Sequence, residues 1–285
     1  MPDEAPFDNR VVAITGAGSG LGRAMAMEFA GAGACVAVMD IDGKAAAETA
    51  SLVTDAGGEA THLAVDVADA EALAAAAHEV QEHFGACHVL CANVGVQQFG
   101  AIDRLTAEDW RWVIEVNVLG TVNTVSAFLP MLRGSAGRRH ILLTSSSGVH
   151  TPGVRLAAYT TSKFAVMGYG ETLRLELAPE GIGVSVLFPA GMITRHLESS
   201  ALARPAELGP SVMLPDDIEA MLASSDMAVD ARSVVAAEVA VRNLLAELAT
   251  DPPYIVTHGN YRDGLARRHA ELLEAYERGQ QDLPD

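Results

Sequence analysis

Short apolar runs closed by glycine or an acid alternate with amphipathic stretches along most of this chain. RVVAITG is the first such run, the stretch from Leu21 to about Gly31 has helical spacing, and CVAVMD follows, giving strand, helix and strand in close succession. Asp42 is placed to cap the next helix, which runs toward Asp55 until Gly57 and Gly58 stop it. THLAVDV and HVLCAN read as strands three and four, separated by an alanine-rich helix. Thr106 with Asp109 resembles a capping box and opens a long helical region through Asn117 to about Leu132. HILLTSS is a fifth strand, a long helix starts near Tyr159 and stops before Gly181-Ile182-Gly183, and VSVLFPAG is a sixth strand. This alternation predicts an α/β protein with a parallel sheet covered on both faces.

The pattern changes between 192 and 233, where three prolines and scattered leucines and methionines interrupt any regular period. Beyond it, the sequence predicts a helix from Val234 to Leu248, a strand at YIVTH and a last helix from about Tyr261 to Tyr276. Leu265, His269, Leu272 and Tyr276 recur at three- and four-residue spacing, so this helix is expected to dock one face. A chain of 285 residues accommodates all of this in one large domain, with 192–233 as a substrate-covering segment and 254–278 as a C-terminal strand and helix. Charge and composition then narrow the partners. A formal net charge of −18 disfavours nucleic acid, whose phosphates it would repel. No unbroken apolar run reaches the roughly 18 residues of a membrane span, and MPDEAPFDNR lacks the basic end and apolar centre of a signal peptide, so a cytoplasmic protein with no membrane partner is expected. Cys35, Cys87 and Cys91 read as reduced thiols, and no Cys/His spacing resembles a zinc site.

TGAGSGLG places Gly16, Gly20 and Gly22 between a first strand and its helix, with Ser19 and Leu21 among them. Missing side chains there let a backbone approach a pyrophosphate at the helix N-terminus. Asp40, eighteen residues after Gly22, ends strand two and is placed to accept hydrogen bonds from an adenosine ribose. Its carboxylate would repel a 2'-phosphate, and neighbouring Ile41 and Ser19 offer no compensating cation, which favours NAD over NADP. Arg23 and Lys44 are the nearest bases, and the alternative for both is a solvent-facing helix position. Asp66 and Val67 follow strand three, where they suit an adenine edge and face; Asp66 suits a turn cap equally well.

Ser146 ends strand five, at the sheet edge where open α/β folds hold ligands. Tyr159 and Lys163 stand at i and i+4 on the next helix. The lysine's charge is expected to favour the tyrosinate, so that Tyr159 takes an alcohol proton while Ser146 holds the same oxygen. Asn117, within NVLG, suits either a helix kink or an anchor for water leading to Lys163.

TGAGSGLG, Asp66-Val67, CANVG, NVLG, the serine stretch, YTTSK and PAGMIT occur in an order that resembles the short-chain dehydrogenase/reductase family over roughly residues 10 to 195. The resemblance implies a doubly wound Rossmann-type fold of three layers, a homodimer or homotetramer, and a catalytic set of Asn117, Ser146, Tyr159 and Lys163. It also implies that Lys163 holds the nicotinamide ribose, that Asn93 and Gly95 pack strand four beside the cofactor, and that Pro189, Gly191, Ile193 and Thr194 lie near its carboxamide. The family's serine stands thirteen residues before the tyrosine, which selects Ser146 over Ser145 and Ser147. Two positions depart from the pattern. Ala92 stands where an asparagine is usual, and Ala190 separates Pro189 from Gly191.

Met192, Leu197, Leu202, Leu208, Met213, Leu214, Met221, Leu222 and Met227 suit an adaptable cover over an apolar ligand, or else the packing of short helices. Gln97, His150, Leu156 and His196 are further pocket candidates by position. The expected reaction is NAD-dependent oxidation of a bulky hydrophobic secondary alcohol, aryl or steroid-like, to a ketone. The alternatives are an NADP-dependent carbonyl reductase and a noncatalytic nucleotide-sensing scaffold.

Overall fold

The structure, a computed structural model, describes residues 7–194, 196–224 and 234–280. In chain order its elements are β1 (Val11–Thr15), α1 (Gly20–Gly31), β2 (Cys35–Asp40), α2 (Gly43–Asp55), β3 (Glu59–Ala64), α3 (Ala70–Phe84) and β4 (Val89–Ala92). They continue with α4 (Ala107–Ile114), α5 (Gly120–Gly134), β5 (Arg139–Thr144), α6 (Ala157–Leu177), β6 (Ile182–Phe188) and β7 (Gly191–Ile193). The remainder comprises α7 (His196–Ala203), α8 (Pro215–Ser224), β8 (Val234–Ala236), α9 (Ala237–Val241), α10 (Leu244–Leu248), β9 (Tyr254–Val256) and α11 (Arg262–Gln280).

Seven strands pair in the order β3-β2-β1-β4-β5-β6-β9, every pair parallel. Side chains alternate across a strand, so Val12 and Ile14 enter one core with Met25 and Phe29 of α1. Val11 and Ala13 enter the other, with Leu73 of α3, Phe128 of α5 and Val166 of α6. Both faces of the strand are therefore buried, which is why it reads as an unbroken apolar run. The two cores and the sheet between them form the expected three layers. Asp42 and Asp69 cap α2 and α3 through their carboxylates, and the capping box of Thr106 and Asp109 opens α4.

Several expectations are corrected. The helical run 107–134 is divided by a π-turn at Glu115–Leu119, with buried Asn117 inside it. By length and composition this run could cross a membrane, although polar residues interrupt its apolar ones. Here Trp112, Val113, Val125, Phe128 and Leu132 bury its apolar side in the protein. The helix expected over Val234–Leu248 is a strand and two short helices, because β-branched Val234 and Val235 pair with Gly191 and Met192. Residues 192–233 contain α7 and α8 where the prolines suggested irregular chain; Met227 lies outside the described residues. Among the described residues the last helix is partly covered only over its first turns, where Arg268 stacks on Phe164 at 5.2 Å and donates to the Val149 carbonyl. Leu272 and Tyr276 do not dock on this subunit and remain 61% and 68% exposed.

At the edge of the sheet opposite the glycine turn, His140 is buried against Ser185, with Nε2 2.9 Å from the Ser185 hydroxyl. That hydroxyl donates to the Pro252 carbonyl, so it accepts from His140, and Nδ1 is left without a hydrogen-bond partner 3.6 Å from Asp251. Serine, histidine and aspartate thus adjoin as a structural cluster, with the serine and histidine buried. Burial pushes the His140 pKa down to about 4 despite the opposing pull of Asp251. An unfolded chain binds a proton there near pH 6.5 and the folded ring refuses it, so stability is retained above 6.5 and lost as pH falls toward about 4. The expected loss from this ring is at most about 3 kcal/mol. Urea unfolding of wild type and His140→Gln across that interval should give a stability difference that shrinks on acidification; a constant difference would contradict the assignment.

Candidate active site

The glycine turn is shaped by backbone contact. Gly16 and Gly20 have φ of +65° and +51°, and a Cβ on Gly22 would stand 2.1 Å from the Gly16 carbonyl oxygen. The start of α1 is thus packed directly on the turn, a position open only to glycine. Ser19 is the N-cap residue, yet its side chain makes no capping bond and no acid occupies the first turn, while Leu21 is buried beneath. This leaves a positive helix end facing a cradle without side chains, which fits a pyrophosphate.

Asp40 borders the cradle. Its Oδ2 accepts from Gly18 N at 2.9 Å and its Oδ1 from Asp42 N at 3.0 Å, tying the turn to the end of β2, while Ile41 beside it is exposed. Arg23 is committed elsewhere, to Thr49 Oγ1 at 2.9 Å, the Gly18 carbonyl and Glu48. Asp66 accepts from Ala68 N at 2.9 Å as a turn cap. Val67 is buried on α5, since a Cβ on Gly120 would stand 2.5 Å from Val67 Cγ2.

Asn93 joins three strands at their carboxyl ends. Its N–H donates to Thr15 Oγ1 at 3.1 Å, its Nδ2 to Thr15 O at 3.2 Å, and its Oδ1 accepts from Thr144 Oγ1 at 3.1 Å. Ala92 fills the preceding position with a buried methyl. Lys163 Nζ donates to Thr144 O at 3.0 Å beneath Gly95, where a Cβ would stand 2.9 Å from that nitrogen. Gly95 therefore keeps open the space that the ammonium occupies.

Burial lowers the Lys163 pKa to about 8. Ser146 and Gln97 are the polar side chains that act on the Tyr159 hydroxyl. Burial nevertheless raises the phenol above its ordinary pKa, and these two side chains only partly offset this. The depression expected from Lys163 is thus not achieved by these residues alone, because Nζ is 5.7 Å from the ring centroid and itself desolvated. Ser145 donates to the Lys163 carbonyl at 2.8 Å and Ser147 N to Pro189 O at 2.9 Å, which leaves Ser146 as the serine at the phenol.

Asn117 uses its amide to hold Val96. Oδ1 accepts from Val96 N at 2.7 Å, and Nδ2 donates to Val96 O at 3.0 Å and Ser162 Oγ at 2.9 Å. Beyond Pro189, Gly191 O accepts from His258 Nε2 at 2.7 Å, Ile193 is exposed, and Thr194 reaches the glycine turn, 3.4 Å from where a Cβ on Gly20 would be. The segment after β6 thereby connects the serine end of the site with the phosphate end. Burial, and then Lys163, hold His196 neutral with a pKa pushed down to about 4. His150 packs on Phe188 at 4.7 Å between centroids, as a structural ring.

The family model for short chain dehydrogenases matches residues 10–204. The chain belongs to this family. A C alpha-dehydrogenase of Sphingobium is 33% identical over 72% of this dehydrogenase and 67% of its own length. The probable oxidoreductase EphD of Mycobacterium tuberculosis is 36% identical over 70% of this chain but 34% of its own. A short chain dehydrogenase/reductase from Burkholderia phymatum, solved in complex with NAD, superposes with a TM-score of 0.85 at 30% identity, covering 95% of this chain and 96% of that one.

Two ion-pair clasps that fasten the dehydrogenase's cover were missed in sequence. Asp109, fully buried, meets Arg204 at 2.7 Å, and Arg204 also bonds Gln98 at 3.0 Å and lies over Trp112. Asp217 is held by Arg104 and by Arg155 at 3.2 Å. Burial alone would raise both carboxyls, but their bonds bring each below its usual value. Only the box spacing of Thr106 and Asp109 was legible; the arginines are far from their partners in sequence. Arg204→Met should destabilise the protein by about 3–5 kcal/mol in denaturant unfolding, because it leaves a buried carboxylate unpaired. Adding Asp109→Leu should restore much of that loss.

Proposed function

We propose that this dehydrogenase oxidises a bulky hydrophobic secondary alcohol, aryl or steroid-like, to its ketone with NAD. The observation that carries the proposal is Tyr159, whose phenol Ser146 acts on, with Lys163 buried on the same helix, at the sheet edge that also holds the glycine cradle. Asp40 supports NAD over NADP, because a 2'-phosphate beside it would meet a carboxylate, and Arg23 is already bonded to Thr49 and Gly18. The Burkholderia structure with NAD supports the same choice. Half-exposed Leu197, Leu214 and Leu222 on the cover support an apolar substrate, as does the Sphingobium relative described as a C alpha-dehydrogenase.

Bound NAD supplies the hydride acceptor and a positive charge that favours the tyrosinate. The protein's own groups manage the proton. Ser146 donates to the alcohol oxygen and orients it, Tyr159 as tyrosinate takes the hydroxyl proton, and Lys163 holds positive charge behind the ring. Thr144 O fixes the ammonium at 3.0 Å, and Gly95 leaves it room to reach a ribose hydroxyl. We take the working protein to be a cytoplasmic homodimer or homotetramer, in keeping with the family resemblance.

A panel of steroid, aryl and aliphatic secondary alcohols assayed with both coenzymes tests this function. NAD-dependent, saturable oxidation of the bulky members is expected, with Tyr159→Phe lowering kcat/KM by about 10²–10⁴-fold. Preference for NADP would overturn the coenzyme assignment, and full turnover by Tyr159→Phe would overturn the proton role.

A further inference from the structure

The helix that carries Tyr159 and Lys163 begins without a side-chain cap. Leu156, the N-cap residue of α6, makes no capping bond, and Tyr159 sits in the first turn, where backbone N–H groups have no partner inside the helix. One turn later, Lys163 is fixed to the sheet through Thr144 O and Ser145. The tyrosine end is gripped from ahead of the helix instead, and the grip comes from the cover. We propose that Asp217 is a positioning residue for Tyr159, acting through Arg155, so that the seating of α8 sets the start of α6.

Helix α8 takes hold of two adjacent residues just before α6. In its first turn, Asp217 Oδ1 stands 3.2 Å from Arg155 Nε, and at its other end Ser224 Oγ accepts from Val154 N at 3.2 Å. Asp217 is itself fixed. Its carboxylate accepts from Leu214 N at 2.8 Å and pairs with Arg104 at 2.5 Å, and its side chain is only 3% exposed. The Arg155 carbonyl in turn accepts from Gly100 N at 3.1 Å, which ties the same residue to the loop after β4.

The backbone of Arg155 gives this grip its importance. Its φ is +68°, in the left-handed region that a Cβ makes unfavourable. Such a conformation persists only where the surroundings over-determine it. The ion pair with Asp217 and the bond from Gly100 supply that constraint four positions before Tyr159. Without the carboxylate, Arg155 is free to return to an ordinary φ, which swings the chain that enters α6 and moves its first turn. Lys163 stays on the sheet, so the phenol shifts relative to the ammonium. Reacting groups need placement finer than an ångström, so a shift of this kind lowers the rate without removing either group. Arg104 is the internal comparison, because it pairs with the same carboxylate but comes from the segment before α4.

Amide hydrogen exchange of the intact protein reads this coupling without a substrate. In Asp217→Asn and Arg155→Met, residues 157–163 should exchange about tenfold faster while β4 and β5 exchange as in wild type. Arg104→Met should loosen α8 and spare 157–163. Combining Asp217→Asn with Arg155→Gly should restore protection there, because glycine holds a positive φ without the ion pair; a clasp that only fastened the cover would gain nothing from that glycine. Unchanged exchange over 157–163 in Asp217→Asn and Arg155→Met, equal loosening in Arg104→Met, or failure of the glycine to rescue overturns the proposal. The inference rests on the role assigned to Tyr159. If alcohol oxidation fails while exchange responds as stated, the proposed reaction fails and the coupling of α8 to α6 stands. If the oxidation is found, Asp217→Asn and Arg155→Met should lower kcat by about 10²-fold, the glycine combination should recover it, and Arg104→Met should alter KM alone. An effect of Arg155→Met confined to KM overturns the positioning role.

Discussion

The structure depends on how the carboxyl ends of β1, β4 and β5 are bound together. Parallel strands finish with backbone groups that no neighbour completes, and here Asn93 donates to Thr15 O while the hydroxyls of Thr15 and Thr144 hold Asn93 in place. Lys163 then uses Thr144 O as its anchor, so a positive charge is fixed to a sheet edge and not to a mobile loop. Buried charge is expensive unless bonded, and this anchor lets the ammonium persist while burial lowers its pKa to about 8. Every other part of the reaction centre is positioned relative to it: Gly95 leaves its space, Ser145 bonds its carbonyl, and Tyr159 shares its helix.

Desolvation works in opposite directions on the two halves of the pair. It makes the amine less basic and the phenol less acidic, so the dry site opposes the separation of charge that proton transfer requires. Opposing charges and donors must therefore be supplied locally. Ser146 and Gln97 pull the phenol only partway back, and the rest falls to the coenzyme's charge.

Much of this could be read from the residues in order. Strand periodicity, the capping acid Asp42 and the glycine spacing are local, and each has a local cause. The glycine turn could be located because Gly16, Gly20 and Gly22 must accept backbone contact that any Cβ would block. Ser146 was separable from its neighbours by counting to Tyr159. The clasps of the cover were not legible, because Arg204 finds Asp109 and Arg155 finds Asp217 only after the chain folds. The sign of the Tyr159 shift escaped for a related reason: spacing brings an amine near a phenol but carries no information about water. The short strand at Val234 was hidden because its partner, Gly191–Ile193, lies in another part of the sequence.

The last helix has a mechanical consequence. From His269 to Gly279 it runs with every described side chain exposed, a length of about 16 Å at 1.5 Å per residue. A helix that short is marginal in water, and only its first turns are clamped, by Arg268 on Phe164. Its backbone should therefore loosen progressively from the free end, giving a gradient of amide exchange along one continuous helix. That gradient would make α11 an internal gauge of contact: whatever comes to rest on Leu272 and Tyr276 would flatten it from the outer end inward.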